Sequence, residues 1–387
     1  MRSTHDHGTT DDIGDLTSST GATSALSTPV TARNRRRLTA VAAGVAATLA
    51  LGGLATVSAH DADSADSARS DSARSDSARS DSARFDDTRA TAARAHPTAE
   101  TTPIGFGAGT TGGGNATATT VTSLDAFKTA VTGDKAKVVK VSGLFSLTGQ
   151  VDIGSNTTVL GVGSGSGFTG GGLRLKEATN VIVRNLNLSK PRKPSDAITV
   201  QKSTKVWIDH NTLSADRDHD KDYYDGLLDI SHGSDNITVS WNRFADHFKG
   251  SLVGHSDNNA SEDTGHLKVT YHHNWFTNVY SRIPSLRFGT GHFYDNYVQG
   301  AETGVHSRMG AQTLVENNVF RDTKVAVTTS RDSDIDGYAV LRGNDLGGAA
   351  TEVSQTGSFT TPPYAYTAEP ASSVVATVTA QAGAGKL

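Results

Sequence analysis

Two segments of the chain carry charged side chains at spacings that could support chemistry. Residues 216–229 are rich in aspartate, and Asp225 and Asp229 lie four residues apart at the start of an apolar run. In an extended chain this spacing directs both side chains to one face, about 13 Å apart, and a turn at Gly226 would bring them closer. Paired carboxylates suit a hard cation such as calcium. A solvated acidic loop is the alternative that the spacing leaves open.

The second segment supplies basic side chains. Lys249 follows the acidic segment, and Arg282 and Arg287 flank Pro284 further along the chain. A spacing of five would place the two arginines on opposite faces of a straight strand, but the proline favours a bend. The cations could form an ion-pair network with the aspartates. The cluster could equally bind an acidic polymer that is bridged by a metal ion.

The composition excludes several classes of protein. The 387 residues include 36 basic and 40 acidic side chains, and the net charge of −4 lacks the basic signature of a nucleic-acid-binding protein. There is no cysteine, which excludes thiolate zinc sites, a catalytic thiol and a disulfide framework. The 40 glycines and the aromatic content of 6% suit an all-β protein with many turns.

The elements that would position the charged residues are strands that recur along the body of the chain. Between residues 180 and 346 an apolar alternation repeatedly ends in asparagine, any residue and an apolar residue. Alternation with period two predicts one strand in each copy. The asparagines are spaced by 31, 32, 22, 22 and 26 residues, and they are Asn211, Asn242, Asn274, Asn296, Asn318 and Asn344.

Such short strands bury a core only when successive copies stack, so the repeat predicts an all-β fold, a right-handed parallel β-helix. The asparagines are predicted to form a ladder in which stacked amides bond one another and the turn backbone. The longer spacings indicate loop inserts on one face, where solenoids usually build their binding site. Helical spacing over Ser123–Val131 and Ala368–Ala380 predicts two short capping helices.

The N-terminal hundred residues are predicted to be processing and linker sequence. A basic cluster containing Arg35 and Arg36, the weakly apolar stretch Leu38–Leu54 and the small residues Val57–Ala59 are typical of an export signal, so we assign residues 1–59 to a signal peptide. The arginine pair loosely resembles a twin-arginine signal. A membrane-spanning helix is the weaker alternative, because most of its apolar residues would be alanine or glycine.

Residues 60–102 are predicted to be a disordered linker. Asp-Ser-Ala-Arg-Ser repeats occupy residues 66–84, and their period of five matches neither helix nor strand. The structured domain is predicted to span residues 103–387. We expect a secreted, extracellular monomer without a membrane or nucleic-acid partner once the signal is cleaved.

The order of the charged and apolar motifs resembles polysaccharide lyase family 1, the pectate lyases, over about residues 104–387. The resembling segments are Asn156–Gly163, Val206–His210, Tyr224–Ile230, Ser240–Phe244, His247–His255, His272–Asn274, Arg282–Gly289 and Asp295–Tyr297. The resemblance implies a right-handed parallel β-helix and calcium-dependent β-elimination on polygalacturonate, with 4,5-unsaturated oligogalacturonides as products.

Carried over residue by residue, the resemblance implies a role for six side chains. The implied calcium ligands are Asp196, Asp225 and Asp229, the implied substrate-binding residues are Lys249 and Arg287, and the implied catalytic base is Arg282. Relatives that cleave methylated pectin without calcium usually lose acidic ligands. Because all three aspartates are present, the resemblance favours de-esterified pectate.

The implied chemistry suits these residue types. The proton removed lies at C5, and it becomes acidic when cations neutralise the charge that develops on the neighbouring uronate carboxylate. Arginine is a weak base because its pKa in water is above about 12, although positive neighbours would lower that pKa. Histidine is the alternative base, with His247 and His273 as candidates.

Two other functions remain open from the sequence. A hydrolase on the same fold would use a carboxylate pair to activate water, and the acidic segment could supply that pair. A carbohydrate-binding β-helix would hold polyuronate without turnover. The Arg-Ile-Pro context of Arg282 argues against the hydrolase.

Overall fold

The computed structural model describes residues 99–387. The predicted signal peptide at 1–59, and all but the last four residues of the predicted linker at 60–102, lie outside the described residues. Between residues 99 and 387, no helix is long and apolar enough to cross a membrane.

The described chain contains 27 strands and three short helices. Their bounds in chain order are β1 (Ala118–Val121), α1 (Leu124–Ala130), β2 (Lys137–Val141), β3 (Leu144–Ser146), β4 (Gln150–Asp152), β5 (Thr157–Gly161), β6 (Gly167–Thr169), β7 (Gly172–Lys176), β8 (Thr179–Arg184), β9 (Asn187–Ser189), β10 (Ile198–Gln201), β11 (Thr204–Asp209), β12 (Thr212–Ser214), β13 (Leu228–Ser231), β14 (Asp235–Ser240), β15 (Arg243–Lys249), β16 (Ser251–Val253), α2 (Ala260–Asp263), β17 (Lys268–His272), β18 (Trp275–Ser281), β19 (Ser285–Arg287), β20 (Thr290–Tyr294), β21 (Tyr297–Gln299), β22 (Thr303–Arg308), β23 (Gln312–Glu316), β24 (Val319–Arg321), β25 (Val325–Thr328), β26 (Tyr338–Arg342), β27 (Ala350–Glu352) and α3 (Ala371–Gln381).

The strands form three parallel sheets that wind into a solenoid. The ten-stranded sheet has the order β1-β2-β5-β8-β11-β14-β17-β20-β23-β26, the nine-stranded sheet β27-β25-β22-β19-β16-β13-β10-β7-β4, and the eight-stranded sheet β24-β21-β18-β15-β12-β9-β6-β3. Each strand within a sheet pairs with strands of the preceding and following coils, and the strands at the sheet ends pair on one side. This arrangement confirms the predicted parallel β-solenoid.

In-register stacking builds the core. Phe244 pairs with Phe276 across β15 and β18, and the two buried rings stack with their centroids 4.5 Å apart and their planes 8° apart. Val206 and Ile208 alternate inward along β11 and are fully buried. Because the strand period is two, the residues between them point the other way.

The predicted asparagine ladder is confirmed. The side-chain amide of Asn211 donates to Oδ1 of Asn242 at 3.0 Å, and Asn242 donates in the same way to Asn274 at 3.0 Å. Three further rungs of 2.9 to 3.0 Å continue to Asn344. The residue before a ladder asparagine has a left-handed φ, for example 50° at His210 and 54° at His273. These buried amides therefore donate hydrogen bonds to backbone carbonyl groups at the tight turn that each coil makes at this corner.

The two predicted helices are present, but only the first lies at an end of the solenoid. Helix α1 follows Ser123, whose hydroxyl accepts a hydrogen bond from the backbone N–H of Ala126, and it packs against β1 and β2. Helix α3 begins at Ala371 rather than at Ala368 and lies against β21 and β24 on the flank. The expectation that it caps an end is therefore wrong, since its apolar side chains contact Tyr297 and Val319.

Candidate active site

The three predicted aspartates converge on the nine-stranded sheet. Asp229 lies in β13, where it pairs with Thr199 of β10. Asp196 lies in the loop shortly before β10, and Asp225 lies in the loop shortly before β13. Parallel pairing of neighbouring coils therefore brings together carboxylates that are about thirty residues apart in sequence.

Gly226 is the centre of this carboxylate cluster. Its backbone N–H donates to Oδ1 of Asp196 at 2.9 Å and makes a longer bond of 3.2 Å to Oδ1 of Asp225. The other oxygen of Asp196 accepts a hydrogen bond from the hydroxyl of Thr199 at 2.8 Å. Oδ1 of Asp229 is buried and has no hydrogen-bond partner among residues 99–387.

Burial makes negative charge costly in the cluster. It raises the pKa of Asp196 well above its usual range, and the charges of Asp229 and Asp225 add to the effect. Burial also raises the pKa of Asp229 to about 6, although Arg282 opposes the shift. The positive charge near the three carboxylates does not offset the cost of burying them together, and a bound cation would reduce that cost.

Three observations indicate that these residues could hold a calcium ion. The side-chain donors are all carboxylate oxygens, which a hard cation prefers. One of them, Oδ1 of Asp229, is buried without a partner within the described chain. A Cβ atom at Gly226 would lie 2.6 Å from that oxygen and 3.0 Å from Oδ1 of Asp196, so glycine leaves the space between the carboxylates open.

Lys249 lies beside the carboxylates. Its ammonium is 3.6 Å from Oδ1 of Asp225 and 3.3 Å from Oδ1 of Asp222, and only 12% of the side chain is exposed. Asp222 was not singled out from the sequence, because it stands among several aspartates of similar spacing. The contact orients the lysine towards the cluster.

Arg282 lies in the turn between β18 and β19, next to Lys249 in the neighbouring coil. Lys249 pairs with Ser281, and the backbone N–H of Ser251 donates to the carbonyl of Arg282 at 2.6 Å. The side chain is half-buried, and its charge acts on Asp229. Within the described part of the chain, no carboxylate lies within salt-bridge distance of its guanidinium. Arg282 is thus available to a substrate.

Arg287 is joined to a residue that the sequence did not indicate. Its Nε donates to Asp257, and one terminal nitrogen donates to the carbonyl of Gly254 at 2.7 Å. Asp257 also accepts from Arg308 at 3.1 Å. The structure therefore places Arg287 on the same sheet as the aspartates but pairs it with Asp257 rather than with them. The N–H groups of Arg287 that make no hydrogen bond within residues 99–387 are those that could reach a substrate.

Neither candidate histidine is placed to act as the base. Nδ1 of His247 accepts a hydrogen bond from the backbone N–H of Lys249 at 2.8 Å, and burial together with the Lys249 charge lowers the pKa of this histidine to about 4. Its hydrogen must then reside on Nε2. His273 follows β17 of the ten-stranded sheet and stacks on Trp241, so it lies on a different sheet from the aspartates.

We expect Gly226→Ala to weaken calcium binding by at least about tenfold, because the added methyl group intrudes between two of the carboxylates. Isothermal titration with calcium measures the change. Gly165→Ala is the matched control, since a Cβ atom at that position meets nothing within 4 Å. Equal affinities in the two variants would mean that the cation does not sit at Gly226.

Comparison with known proteins shows the family of the chain. A sequence profile of the family described as pectate lyase matches residues 88–387. Pectate lyase A of Aspergillus niger is 51% identical over 277 residues, which are 71% of this chain and 84% of that protein. Pectate lyase A of Emericella nidulans is 50% identical over 275 residues, or 70% and 83% of the two chains.

A solved structure shares the fold. The pectate lyase from Bacillus sp. N165, in complex with trigalacturonate, superposes with a TM-score of 0.68 and 32% identity over 73% of this chain and 99% of that one. The solenoid and these similarities define the protein as a polysaccharide lyase. The chain belongs to the pectate lyase family.

Proposed function

We propose that the protein is a secreted lyase that cleaves de-esterified polygalacturonate by calcium-dependent β-elimination and releases 4,5-unsaturated oligogalacturonides. The observation that carries the proposal is the cluster of three carboxylates around Gly226, with Lys249 and Arg282 beside it. Pectate is the substrate class of the relatives, and the Bacillus relative was solved with a trigalacturonate.

Asp196, Asp225 and Asp229 would hold the calcium ion. When bound, the ion would supply positive charge to the uronate carboxylate of the substrate and so make the neighbouring C5 proton more acidic. Oδ1 of Asp229, which is buried without a hydrogen-bond partner among residues 99–387, supports this assignment, because desolvated anionic donors bind a cation more strongly than hydrated ones.

Lys249 and Arg287 would bind the acidic groups of the polymer. Lys249 is held at the cluster by Asp222 and Asp225, and its ammonium can add a hydrogen bond to the uronate carboxylate as charge develops there. Arg287 is fixed by Asp257, so it would meet the substrate with little loss of side-chain entropy.

Arg282 would take the C5 proton. Elimination breaks the C5–H bond and the C4–O bond and forms the C4–C5 double bond, and the departing glycosidic oxygen takes a proton from water. Among the described residues no carboxylate lies within salt-bridge distance of the Arg282 guanidinium, whereas Arg287 is paired with Asp257.

An ultraviolet assay on polygalacturonate distinguishes this function from the two alternatives. Elimination leaves a conjugated unsaturated uronate that absorbs, hydrolysis leaves new reducing ends without that absorbance, and a binding protein leaves neither. We expect absorbance and reducing ends to rise together. Reducing ends without absorbance would establish a hydrolase, and retention of polymer with neither signal would establish a binding protein.

The rate should rise with pH across the range 7 to 9 at saturating calcium, because an arginine base must lose its proton before it can accept another. A His247 base, with a pKa of about 4, would already be deprotonated throughout that range and would give a flat profile. Initial rates of product absorbance measure the profile, with circular dichroism at each pH as the control for folding. A plateau below pH 7.5 in folded enzyme would contradict the assignment of Arg282.

The N-terminal segment completes the proposal. Residues 1–59 would direct export and be removed. Residues 60–102 would then form a linker at the N-terminus of the catalytic solenoid, and the mature protein would be an extracellular monomer. N-terminal sequencing of the protein recovered from culture medium tests this division. A mature chain that begins at residue 1 would contradict it.

A further inference from the structure

Arg217 lies on the long insert between β12 and β13, beside the proposed lyase site. The same insert carries Asp222 and Asp225, which contact the ammonium of Lys249. The guanidinium carbon of Arg217 lies over the ring of Phe248, the residue next to Lys249, at 4.8 Å from the ring centroid. Arg217 therefore neighbours the cationic side chains of the proposed site, although neither calcium binding nor proton transfer involves it.

Two aromatic rings form the surface on which this guanidinium rests. Phe248 of β15 and Tyr280 of β18 occupy matching positions in neighbouring coils, and their ring centroids are 6.2 Å apart. The guanidinium carbon of Arg217 lies over Tyr280 as well, at 5.5 Å from its centroid. Both contacts are attractive, because the face of an aromatic ring favours a positive charge. Tyr280 is 42% exposed, so the outer part of this surface meets solvent.

A hydrogen bond fixes the direction of the guanidinium. Its Nη1 donates to Oδ1 of Asn278 at 2.8 Å. The amide nitrogen of Asn278 in turn donates to Oδ1 of Asp246 at 2.9 Å, and this second bond decides which atom of the amide faces Arg217. The guanidinium is thus oriented by the two rings and by one amide before any ligand binds.

The backbone next to Arg217 is also held in place. The carboxylate of Asp216 accepts hydrogen bonds from the hydroxyl of Tyr224 at 2.9 Å and from Nδ1 of His219 at 2.7 Å. The ammonium of Lys190, which follows β9, lies 3.1 Å from the same carboxylate and joins the insert to the solenoid. A side chain that is positioned in advance loses less entropy when it meets a ligand.

The guanidinium of Arg217 retains donors for an anionic ligand. Within the part of the chain that the structure describes, no carboxylate lies within salt-bridge distance of it, and Nη1 is its only nitrogen with a hydrogen-bond partner. Arg287, by contrast, gives its Nε to Asp257. Because a guanidinium carries its N–H groups in one plane, two of them match the two oxygens of a carboxylate.

We propose that Arg217 binds the carboxylate of a galacturonate unit beside the units that are cleaved. The inference rests on the proposed lyase function, because it requires the polymer to pass over Lys249 and Arg282. Tyr280 precedes Arg282 by two residues, which is roughly 7 Å along an extended strand. Every sugar of pectate carries a carboxylate, so a chain held at Arg282 brings further carboxylates past the neighbouring cations. Arg217 would then favour a de-esterified unit at its position, since a methyl ester has no charge to pair with it.

Arg217→Gln removes the charge but keeps a side chain that can donate to Asn278. We expect KM on polygalacturonate to rise by at least about fivefold while kcat and calcium affinity change little, since Arg217 contacts neither the carboxylate cluster nor Arg282. The rise should shrink as the methyl esterification of the substrate increases, because fewer carboxylates remain. Arg217→Lys should recover part of the affinity, as it restores the charge without the planar group.

Arg243→Gln is the matched control. Arg243 also lies over an aromatic ring, that of Trp275 at 5.1 Å, and it belongs to the same sheet at the opposite end of β15. Loss of this cation–π contact should leave KM unchanged. An equal rise in KM in both variants would mean that the effect reflects the overall charge of the protein, and it would overturn the proposal.

A binding measurement without turnover separates this inference from the proposed function. In the Arg282→Lys background, isothermal titration with polygalacturonate at saturating calcium should show the same loss of at least about fivefold when Arg217→Gln is added. If the wild type binds the polymer but makes no unsaturated product, the lyase proposal fails, and this loss would still support Arg217 as a ligand of polyuronate. An active lyase in which Arg217→Gln leaves KM and polymer affinity at their wild-type values would overturn the inference alone. A lower melting temperature with unchanged affinity would also overturn it, since Arg217 would then only brace the insert.

Discussion

Replacing Arg282 by lysine should reduce kcat on polygalacturonate by roughly a thousandfold, the range expected when a general base is lost. Lysine keeps the positive charge beside Asp229, so calcium binding and substrate affinity should change little. The lysine side chain is shorter than that of arginine, so its nitrogen would not occupy the position of the guanidinium nitrogens. Initial rates of product absorbance, together with calcium titration of the variant, measure both expectations.

Lys249→Ala provides the contrast for this experiment. It removes a group that binds the substrate carboxylate, so KM should rise along with the fall in kcat, and the ion pairs to Asp222 and Asp225 are lost as well. A variant of Arg282 with a near-normal kcat would mean that another residue accepts the C5 proton. An equal rise in KM in both variants would mean that Arg282 serves binding rather than proton transfer.

Removing calcium should reduce the lyase rate by at least about a hundredfold, and adding it back should restore the rate. Without the ion, Asp196, Asp225 and Asp229 repel one another, and the substrate carboxylate would meet a negative surface instead of a positive one. A calcium-selective chelator and an ultraviolet assay at fixed pH measure the loss. Full turnover in excess chelator would contradict the assignment of the three aspartates.

The pH dependence of calcium binding offers a second measurement on the same residues. The pKa of Asp229 is raised above its usual value to about 6, so in the calcium-free protein this carboxyl holds a proton below that pH and is ionised above it. Calcium must displace the proton, and its affinity should fall by about tenfold for each pH unit below 6. In the Asp229→Asn variant, the part of the pH dependence of calcium affinity that comes from the Asp229 proton should disappear. An affinity that does not change between pH 5 and pH 7 would place the ion elsewhere.

The fold could be predicted from the sequence because a solenoid is built from local repetition. Asn211, Asn242 and Asn274 recur at the spacing of a coil, and in parallel stacking residues one coil apart become direct neighbours. The strand period of two then decides which side chains enter the core. Helix α1 was predictable for a similar reason, since its capping serine and its apolar spacing lie within a few residues of each other.

The relation between distant segments was decided only by the tertiary structure. The partner of Arg287 proved to be Asp257, and helix α3 packs on a flank instead of an end, because both outcomes depend on which surfaces meet after the coils have stacked. The same holds for Glu100, whose carboxylate lies 3.8 Å from Nε2 of His272, a residue 172 positions further along the chain. No local pattern encodes such contacts.

Burial likewise arises only when the chain has folded. The sequence identified Asp229 as a candidate metal ligand and His247 as a candidate base, but it did not give the protonation state of either side chain. Desolvation raises the pKa of the aspartate and lowers that of the histidine, and the backbone N–H of Lys249 occupies the nitrogen that a base would need. The sequence by itself thus determined the coils and the chemical groups they carry. The tertiary structure decided which of those groups are buried, which are hydrogen-bonded and which are accessible to a substrate, because desolvation and hydrogen bonding depend on neighbours from other coils.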